Sequence, residues 1–166
     1  AQTKKLVVGD GANEKVTVGP LINSTAVNNI DAMVNEAVKD GANILLGGTN
    51  KNLGDCFYTP TILANVSPKM RIFKEEIFGP VLAIQTFRTV DEVIEKANNT
   101  PFGLSAGVWT DKGSKAFNLS SQLKAGIVWA NTFNKLDPSS PFGGYKESGI
   151  GREGGKHGLE AYLLIE

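Results

Sequence analysis

Hydrophobic side chains recur along this chain at two spacings. Apolar residues three and four positions apart, with polar residues between them, indicate an amphipathic helix. This spacing predicts helices over residues 24–40, 90–98 and 112–123. Short apolar runs bounded by Gly, Pro, Asn or Asp indicate strands instead. They predict strands over residues 43–46, 61–66, 81–87, 104–109 and 126–130.

The residues at the predicted helix ends support these boundaries. A side-chain oxygen just before a helix can accept a hydrogen bond from an N–H group of the first turn. Residues of this kind stand at each start: Asn23 or Ser24, Thr89 and Asp111. Gly41 is a suitable end for the first helix, because glycine accepts the left-handed backbone that often follows a last turn.

The order of the elements predicts the fold class. Strands that alternate with helices favour βαβ units and a mostly parallel sheet. The run over residues 81–87 is apolar enough for a strand that is buried on both faces. The sequence shows no internal repeat and no low-complexity linker. We therefore expect a single α/β domain over residues 1–166, with three layers (α/β/α) around a mostly parallel open sheet.

Composition excludes several classes of partner. The 166 residues carry 17 Lys+Arg and 17 Asp+Glu, with no block of one sign, so neither nucleic acid nor a membrane surface is an expected partner. No apolar run approaches the roughly 20 residues of a spanning helix, and residues 1–5 do not open a signal peptide. The single cysteine, Cys56, suits a reducing compartment. The expected location is the cytoplasm, with the mitochondrial matrix left open.

Residues 74–80 combine two carboxylates with an aromatic ring before a Gly-Pro break. Neighbouring side chains of an extended segment point to opposite sides, so Glu76 and Phe78 would share one side. A carboxylate can accept hydrogen bonds from ribose hydroxyls, and a ring beside it can cover an apolar ring. The alternative is a solvated acidic turn in front of a core strand.

The longest stretch without helical or strand periodicity covers residues 131–155. A loop of about two dozen residues is uncommon in a compact domain unless it is functional. Within it, Gly143 and Gly144 allow another backbone to approach closely, and Phe142 and Tyr145 place a ring on either side. This loop is the strongest indication of a site that the residues give by themselves.

Glu153 is the candidate acid of this loop. In a partly buried pocket its carboxyl group could bind water or relay a proton. An ion pair with Lys146 or Lys156 is the alternative for the same side chain.

Three other candidate sites are weaker. Residues 149–154 match G-x-G-x-x-G, but no strand is predicted before them, and a dinucleotide fingerprint requires a βαβ unit. Cys56 has an acidic neighbour, Asp55, rather than the base or cation that activates a nucleophilic thiol. One cysteine, one histidine (His157) and no ligand-spaced acidic motif predict no metal site.

Residues 75–80 and 140–153 together resemble the NAD(P)-dependent aldehyde dehydrogenase superfamily. Four further segments are similar to that family and follow its order: residues 19–22, 58–61, 98–104 and 126–131. The likeness covers nearly the whole chain.

The resemblance implies roles for particular residues, with NAD or NADP as cofactor. Glu76 would hold the nicotinamide ribose hydroxyls, and Phe78 would lie against the nicotinamide end. Residues 131–142 would form the substrate-tunnel loop, and Glu153 would be an acid near the path of the active-site water. Four side chains of this loop would line the entry path of the aldehyde: Thr132, Asn134, Leu136 and Phe142.

The resemblance also implies what this chain lacks. The family oxidises an aldehyde through a cysteine thiolate and a glutamate base, and both match regions upstream of this chain. Cys56 lies in the wrong motif to replace that cysteine. The oligomerisation strand of the family would follow residue 166. We therefore expect the C-terminal part of a catalytic domain, inactive alone, from a parent that is a homodimer or homotetramer.

Two alternatives and two questions stay open at this point. The chain could be a non-catalytic binding or oligomerisation module, or part of a CoA-acylating aldehyde dehydrogenase. The ribose-phosphate contacts that separate NAD from NADP would also lie upstream. Lys135 and Asp137 in the loop favour a polar or charged aldehyde.

Overall fold

A computed structural model of the protein describes residues 2–49 and 54–164. The chain divides into two compact units, Ala1–Thr86 and Phe87–Glu166, and each contains helices and strands. The α/β class is confirmed. The single domain stays a prediction.

Each predicted helix and strand overlaps an observed one, and two further α-helices (71–74 and 155–160) and two short strands (102–103 and 145–146) lie outside the predicted segments. The helices are a 3₁₀ turn Thr3–Lys5, then α1 Ser24–Lys39, α2 Arg71–Lys74, α3 Val90–Asn98, α4 Gly113–Gln122 and α5 Gly155–Glu160. The strands are β1 Asn43–Leu46, β2 Thr61–Ala64, β3 Val81–Ala83, β4 Phe102–Gly103, β5 Ser105–Val108, β6 Ile127–Ala130 and β7 Tyr145–Lys146. None of the described helices is long and apolar enough to cross a membrane.

The described strands pair in three small sheets, in the orders β1-β2-β3, β4-β7 and β5-β6. The predicted parallel pairing is present between β2 and β3 and between β5 and β6. The β1-β2 and β4-β7 pairs are antiparallel.

The first unit is built around α1. The side chain of Asn23 accepts a hydrogen bond from the Ala26 N–H at 2.9 Å, and Gly41 follows the helix with a φ of 103°, as predicted. One face of the helix is buried, including Ile30 and Met33, and it packs in one cluster with Leu63 of the central strand. Burial of this apolar face, rather than helix propensity, holds the unit together.

The prediction that residues 81–87 form a strand buried on both faces is wrong. The strand ends at Ala83, and Leu82 within it is 57% exposed. Within the described residues β3 is the edge strand of its sheet. Its partner β2 ends at Ala64, and Asn65 then turns the chain away with a φ of 58°, so the ladder cannot continue far.

Tyr58 is buried in this core and predicts a pH dependence of stability. It is 1% exposed, and its hydroxyl donates a hydrogen bond to Asp31 Oδ1 at 3.3 Å. Burial, and then the negative charge of Asp31, raise the pKa of the Tyr58 hydroxyl above its ordinary value. Its contribution is therefore complete below the unfolded-state pKa of about 10 and is lost as the pH rises through the folded-state pKa.

Tyr58→Phe is expected to cost about 1 kcal/mol at neutral pH, because one buried hydrogen bond is lost. The free energy of unfolding of wild type should then fall more steeply above pH of about 10 than that of Tyr58→Phe. Chemical denaturation at several pH values measures both effects. Tyr162→Phe is the control, because this ring is 87% exposed. Parallel pH profiles of wild type and Tyr58→Phe would contradict the prediction.

The second unit contains the parallel pair β5-β6, with α4 packed against both strands. Thr89 caps α3 as predicted, since its hydroxyl accepts a hydrogen bond from the Glu92 N–H at 3.2 Å. The predicted cap at Asp111 is wrong, because α4 begins at Gly113 and Lys112 stands at its cap position. Just before the helix the Lys112 N–H donates to the Thr110 hydroxyl at 3.2 Å.

Candidate functional site

The two adjacent carboxylates after α2 differ in their partners. Glu75 ends the helix, and its carboxylate accepts a hydrogen bond from Arg71 Nε at 2.9 Å. Glu76 is exposed, and among the described residues its carboxylate has no hydrogen-bond or ion-pair partner. Glu75 thus forms a surface ion pair with Arg71, whereas the Glu76 carboxylate is available to a ligand.

Phe78 is held outward in an unusual backbone conformation. Its ring is 80% exposed, and its φ is 50°, a region that non-glycine residues adopt rarely and at a cost of about 1–3 kcal/mol. The backbone is fixed on both sides: Ile77 packs against the core of the first unit, and the Pro80 carbonyl accepts a hydrogen bond from the Thr61 N–H at 2.8 Å. Exposed rings held by strain in this way are typical of ligand contacts.

The side-chain chemistry of Glu76 and Phe78 therefore fits the nicotinamide end of NAD or NADP. The Glu76 carboxylate offers acceptors that no described residue uses, and ribose hydroxyls are donors. The exposed face of Phe78 suits a flat ring.

The second unit contains a cavity of about 510 Å³, a size that is ordinary for a small-molecule site. The cavity lies between the loop over residues 131–142 and the segment around Glu153. Its lining residues are Ile127, Lys135, Leu136, Asp137, Pro138, Ser140, Phe142, Glu153 and Gly154.

Three of the predicted site residues in this unit line the cavity, and two do not. Leu136, Phe142 and Glu153 contribute to its wall. Thr132 is half-buried and Asn134 is exposed, and neither belongs to the lining. The cavity thus has both this loop and Glu153 in its lining.

Phe142 and Glu153 are joined directly through their backbones. The Phe142 N–H donates to the Glu153 carbonyl at 2.7 Å, and the Glu153 N–H donates back to the Phe142 carbonyl at 2.8 Å. A third bond, from the Gly155 N–H to the Pro138 carbonyl at 2.9 Å, closes the same wall. These bonds fix the apolar ring and the acid in one register.

The ion pair that was the alternative for Glu153 does not form. Among the described residues its carboxylate has no partner, and its side chain is exposed. Lys146 instead donates from Nζ to the carbonyls of Asn98 and Thr100, at 2.9 Å each. Glu153 is therefore free to bind water or a ligand group.

Arg152 orders the glycine-rich turn beside this acid. Its Nη1 donates to the Gly144 carbonyl at 2.9 Å and to the Gly151 carbonyl at 2.8 Å. Its guanidinium lies over the ring of Tyr145, 5.6 Å from the ring centroid. The Arg152 guanidinium and the Tyr145 ring therefore stabilise the loop itself.

Sequence reasoning missed several lining residues. Ile127 belongs to a strand and had been assigned only to the sheet. Lys135 and Asp137 were noted for their polarity, not as part of a wall. Asp137 accepts hydrogen bonds from the hydroxyl and the N–H of Ser139, and these hold the pKa of its carboxyl group below the ordinary value. An acid two residues before a serine was the one available signal of this turn.

The structure adds no support for the three weaker candidate sites. A strand does precede the G-x-G-x-x-G match, contrary to prediction, but β7 has two residues and pairs antiparallel with β4, which is not a βαβ unit. Cys56 is half-buried. His157 is exposed and lies 3.6 Å from the Glu160 carboxylate. Over residues 2–49 and 54–164, no three His, Cys, Asp or Glu side chains come together as a metal site.

Comparison with known proteins decides the family. A sequence profile of the Aldehyde dehydrogenase family matches residues 1–166. The chain belongs to the aldehyde dehydrogenase family. The resemblance carried by residues 75–80 and 140–153 is therefore confirmed.

Individual aldehyde dehydrogenases show how close the match is. The chain is 42% identical over 163 residues to mitochondrial succinate-semialdehyde dehydrogenase of Oryza sativa subsp. japonica, covering 98% of this chain and 31% of that protein. It is 45% identical over 165 residues to retinal dehydrogenase 2 of Homo sapiens, covering 99% and 32%.

Solved structures agree in fold. An E. coli NADP dependent enzyme superposes with a TM-score of 0.94 at 40% identity, over 99% of this chain and 34% of that one. Betaine aldehyde dehydrogenase from Staphylococcus aureus, in complex with NAD+, superposes with a TM-score of 0.92 at 39% identity, over 98% and 33%. The chain thus spans about a third of the length of the aldehyde dehydrogenases that it matches.

Proposed function

We propose that this chain is the part of an NAD(P)-dependent aldehyde dehydrogenase that contributes residues to both the cofactor site and the aldehyde path. The observation that carries the proposal is the cavity of about 510 Å³ lined by Leu136, Phe142 and Glu153, in a chain that matches the family throughout. Glu76 and Phe78 add an acid and a ring suited to the nicotinamide end.

Each of these residues has a defined task in the proposed reaction. NAD(P)+ supplies the acceptor for the hydride that leaves the aldehyde carbon. Glu76 accepts hydrogen bonds from ribose hydroxyls, and Phe78 covers the flat ring and excludes water from it. Glu153 holds a water molecule or a proton at its carboxylate oxygens. Leu136 and Phe142 guide the aldehyde from the cavity wall, whereas Thr132 and Asn134, which the resemblance also assigned to this path, lie outside the lining.

The covalent step requires a cysteine other than Cys56. We propose that a thiolate adds to the aldehyde carbon to give a thiohemiacetal, that loss of hydride gives a thioester, and that water releases the acid and the thiol. Cys56 is the only cysteine of the chain and lies outside both candidate sites. The chain alone is therefore expected to have no dehydrogenase activity.

The cavity wall also favours a substrate class. Lys135, Asp137 and Glu153 are three charged residues in the lining, beside the hydroxyl residue Ser140 and the apolar Ile127, Leu136, Pro138 and Phe142. A small aldehyde with a polar or charged group suits this wall better than an all-apolar one. We further propose a reducing compartment, cytoplasm or mitochondrial matrix, and a homodimeric or homotetrameric parent enzyme.

Two proteins test the proposal: the 166-residue chain, and a chimera in which it replaces the matching third of the Staphylococcus aureus betaine aldehyde dehydrogenase. NADH or NADPH formation is measured with betaine aldehyde and with several polar and apolar aldehydes. We expect no product from the chain alone and product from the chimera. Cys56→Ser in the chimera should leave the rate unchanged.

Three outcomes would contradict parts of the proposal. Reduced cofactor formed by the chain alone would show that it carries its own nucleophile. A folded chimera that binds cofactor but oxidises no aldehyde would favour the non-catalytic module. Product formation that requires added CoA would favour the acylating enzyme.

A further inference from the structure

Two side chains of β6 contribute to the cavity, one as part of its lining and one through a bond to the loop. Side chains two apart on a strand point to the same face, which places Ile127 and Trp129 together. Ile127 lines the cavity, while Trp129 is only 8% exposed and is not part of the lining. The Trp129 indole N–H donates a hydrogen bond to the Lys135 carbonyl at 2.8 Å. A residue of the strand therefore holds the middle of the loop directly.

The same ring makes a second contact with the loop. The ring centroids of Trp129 and Phe133 lie 4.8 Å apart at an interplanar angle of 60°, a tilted arrangement that aromatic pairs favour. Between these two contacts the loop changes direction at Asn134, whose φ is 55°, the same value as at Asn131 before them. Trp129 thus contacts the loop on both sides of Asn134.

We propose that Trp129 is a positioning residue that sets the shape of the aldehyde path. Its N–H fixes the Lys135 carbonyl, and the side chains of Lys135, Leu136 and Asp137 then enter the cavity wall in consecutive order. This inference rests on the proposed function, since the cavity must be the aldehyde path. Trp129 does not line the cavity, and it acts through the backbone of the loop.

The two tryptophans of the chain allow a matched test. Trp129→Phe keeps an aromatic ring against Phe133 and removes the N–H donor. Trp109→Phe is the control, because Trp109 also faces Phe133, with centroids 6.3 Å apart, but is 63% exposed. Among the described residues the Trp109 N–H has no hydrogen-bond partner.

Hydrogen exchange on the 166-residue chain tests the Trp129–Lys135 hydrogen bond independently of any enzyme activity. We expect the hydrogen-bonded amides of Ser139 and Ser140 to exchange roughly three- to tenfold faster in Trp129→Phe, the range for one neutral hydrogen bond, and to be unchanged in Trp109→Phe. An unchanged exchange rate in Trp129→Phe would overturn the inference, whatever the chimera does.

Kinetics of the chimera test whether Trp129 affects binding of the aldehyde. Trp129→Phe should raise KM for the aldehyde roughly three- to tenfold, with kcat and KM for the cofactor within about twofold. Faster exchange with an unchanged aldehyde KM would also overturn the inference. A chimera that is inactive with the native Trp129, while Trp129→Phe still speeds exchange, would mean that the proposed function fails and that the anchor acts on another ligand's cavity.

A second variant covers the case in which Trp129→Phe does not fold. Replacing Leu136 by its α-hydroxy acid converts the Lys135 carbonyl into an ester carbonyl, a weaker acceptor, and leaves the indole ring in place. The Leu136 N–H that this removes makes no hydrogen bond among the described residues. The same increase in exchange is expected, and its absence would contradict the role of the indole bond.

Discussion

Gly126→Ala is expected to destabilise the second unit by about 3 kcal/mol or more, the upper range for overpacking. A Cβ atom at Gly126 would overlap the carbonyl oxygen of Gly143 and lie 3.3 Å from the Leu104 carbonyl. The obstacle is backbone on both sides, so no side-chain rotation relieves it. The glycine that permits this close approach is Gly126, which lies outside the predicted loop; for Gly143, one of the two predicted glycines, the close backbone neighbour is the Gly151 carbonyl oxygen.

Neither backbone can retreat without losing a further bond. The Gly126 N–H donates to the Gly103 carbonyl at 3.0 Å, and the Gly144 carbonyl, next to Gly143, accepts from Arg152 at 2.9 Å. Displacing either segment therefore breaks a hydrogen bond in addition to the packing cost. The close approach also joins β6 to the wall of the cavity, so the same variant should loosen the loop.

Tryptophan fluorescence during urea unfolding measures this effect in one unit alone. Both tryptophans, Trp109 and Trp129, lie in the second unit. Gly113→Ala is the control, because nothing lies within 4 Å of a Cβ there and alanine favours the first turn of α4. An unfolding midpoint of Gly126→Ala equal to that of wild type would contradict the prediction.

Local chemistry explains which elements the sequence could predict. The caps at Asn23 and Thr89 depend on a side-chain oxygen and the N–H three residues on, so their partners are fixed by spacing alone. Asp111 has the right chemistry and does not cap, because α4 begins only at Gly113, after a turn in which the Lys112 N–H donates to the Thr110 hydroxyl. Spacing alone does not show at which residue a helix begins.

The misjudged strand shows the limit of composition. Residues 81–87 are apolar in a way that suits burial on both faces, but burial depends on which strands lie alongside. The turn at Asn65 ends the partner strand early and leaves Leu82 largely exposed. The position of that turn is set by tertiary structure.

The candidate site also has parts that the sequence predicts and parts that it does not. A long loop without periodicity marked residues 131–155 as functional, and the resemblance placed Leu136, Phe142 and Glu153 within it. The bonds that assemble its wall join residues far apart in sequence with no side-chain signature, such as the Phe142–Glu153 backbone pair. Trp129 had been assigned to a core strand, and nothing in its neighbours indicates that its N–H reaches the loop.

Glu76→Gln is expected to weaken cofactor binding by the chimera roughly tenfold or more. A carboxylate accepts stronger hydrogen bonds from hydroxyls than an amide does, by about 1–2 kcal/mol, and about 1.4 kcal/mol corresponds to tenfold in Kd. Among the described residues the Glu76 carboxylate has no partner, so its acceptors are free for ribose hydroxyls. The substitution keeps the size of the side chain, and because Glu76 is exposed the stability of the fold should be unchanged.

Glu75→Gln is the matched control for this prediction. The two acids are adjacent and both exposed, but the Glu75 carboxylate already binds Arg71 at 2.9 Å. Removing that charge should leave Kd and KM for NAD(P)+ unchanged, since an exposed ion pair contributes little. NADH fluorescence titration and initial rates at varied cofactor concentration measure both variants. Equal losses would assign the effect to the charge of the whole turn, and no loss in Glu76→Gln would remove Glu76 from the cofactor site.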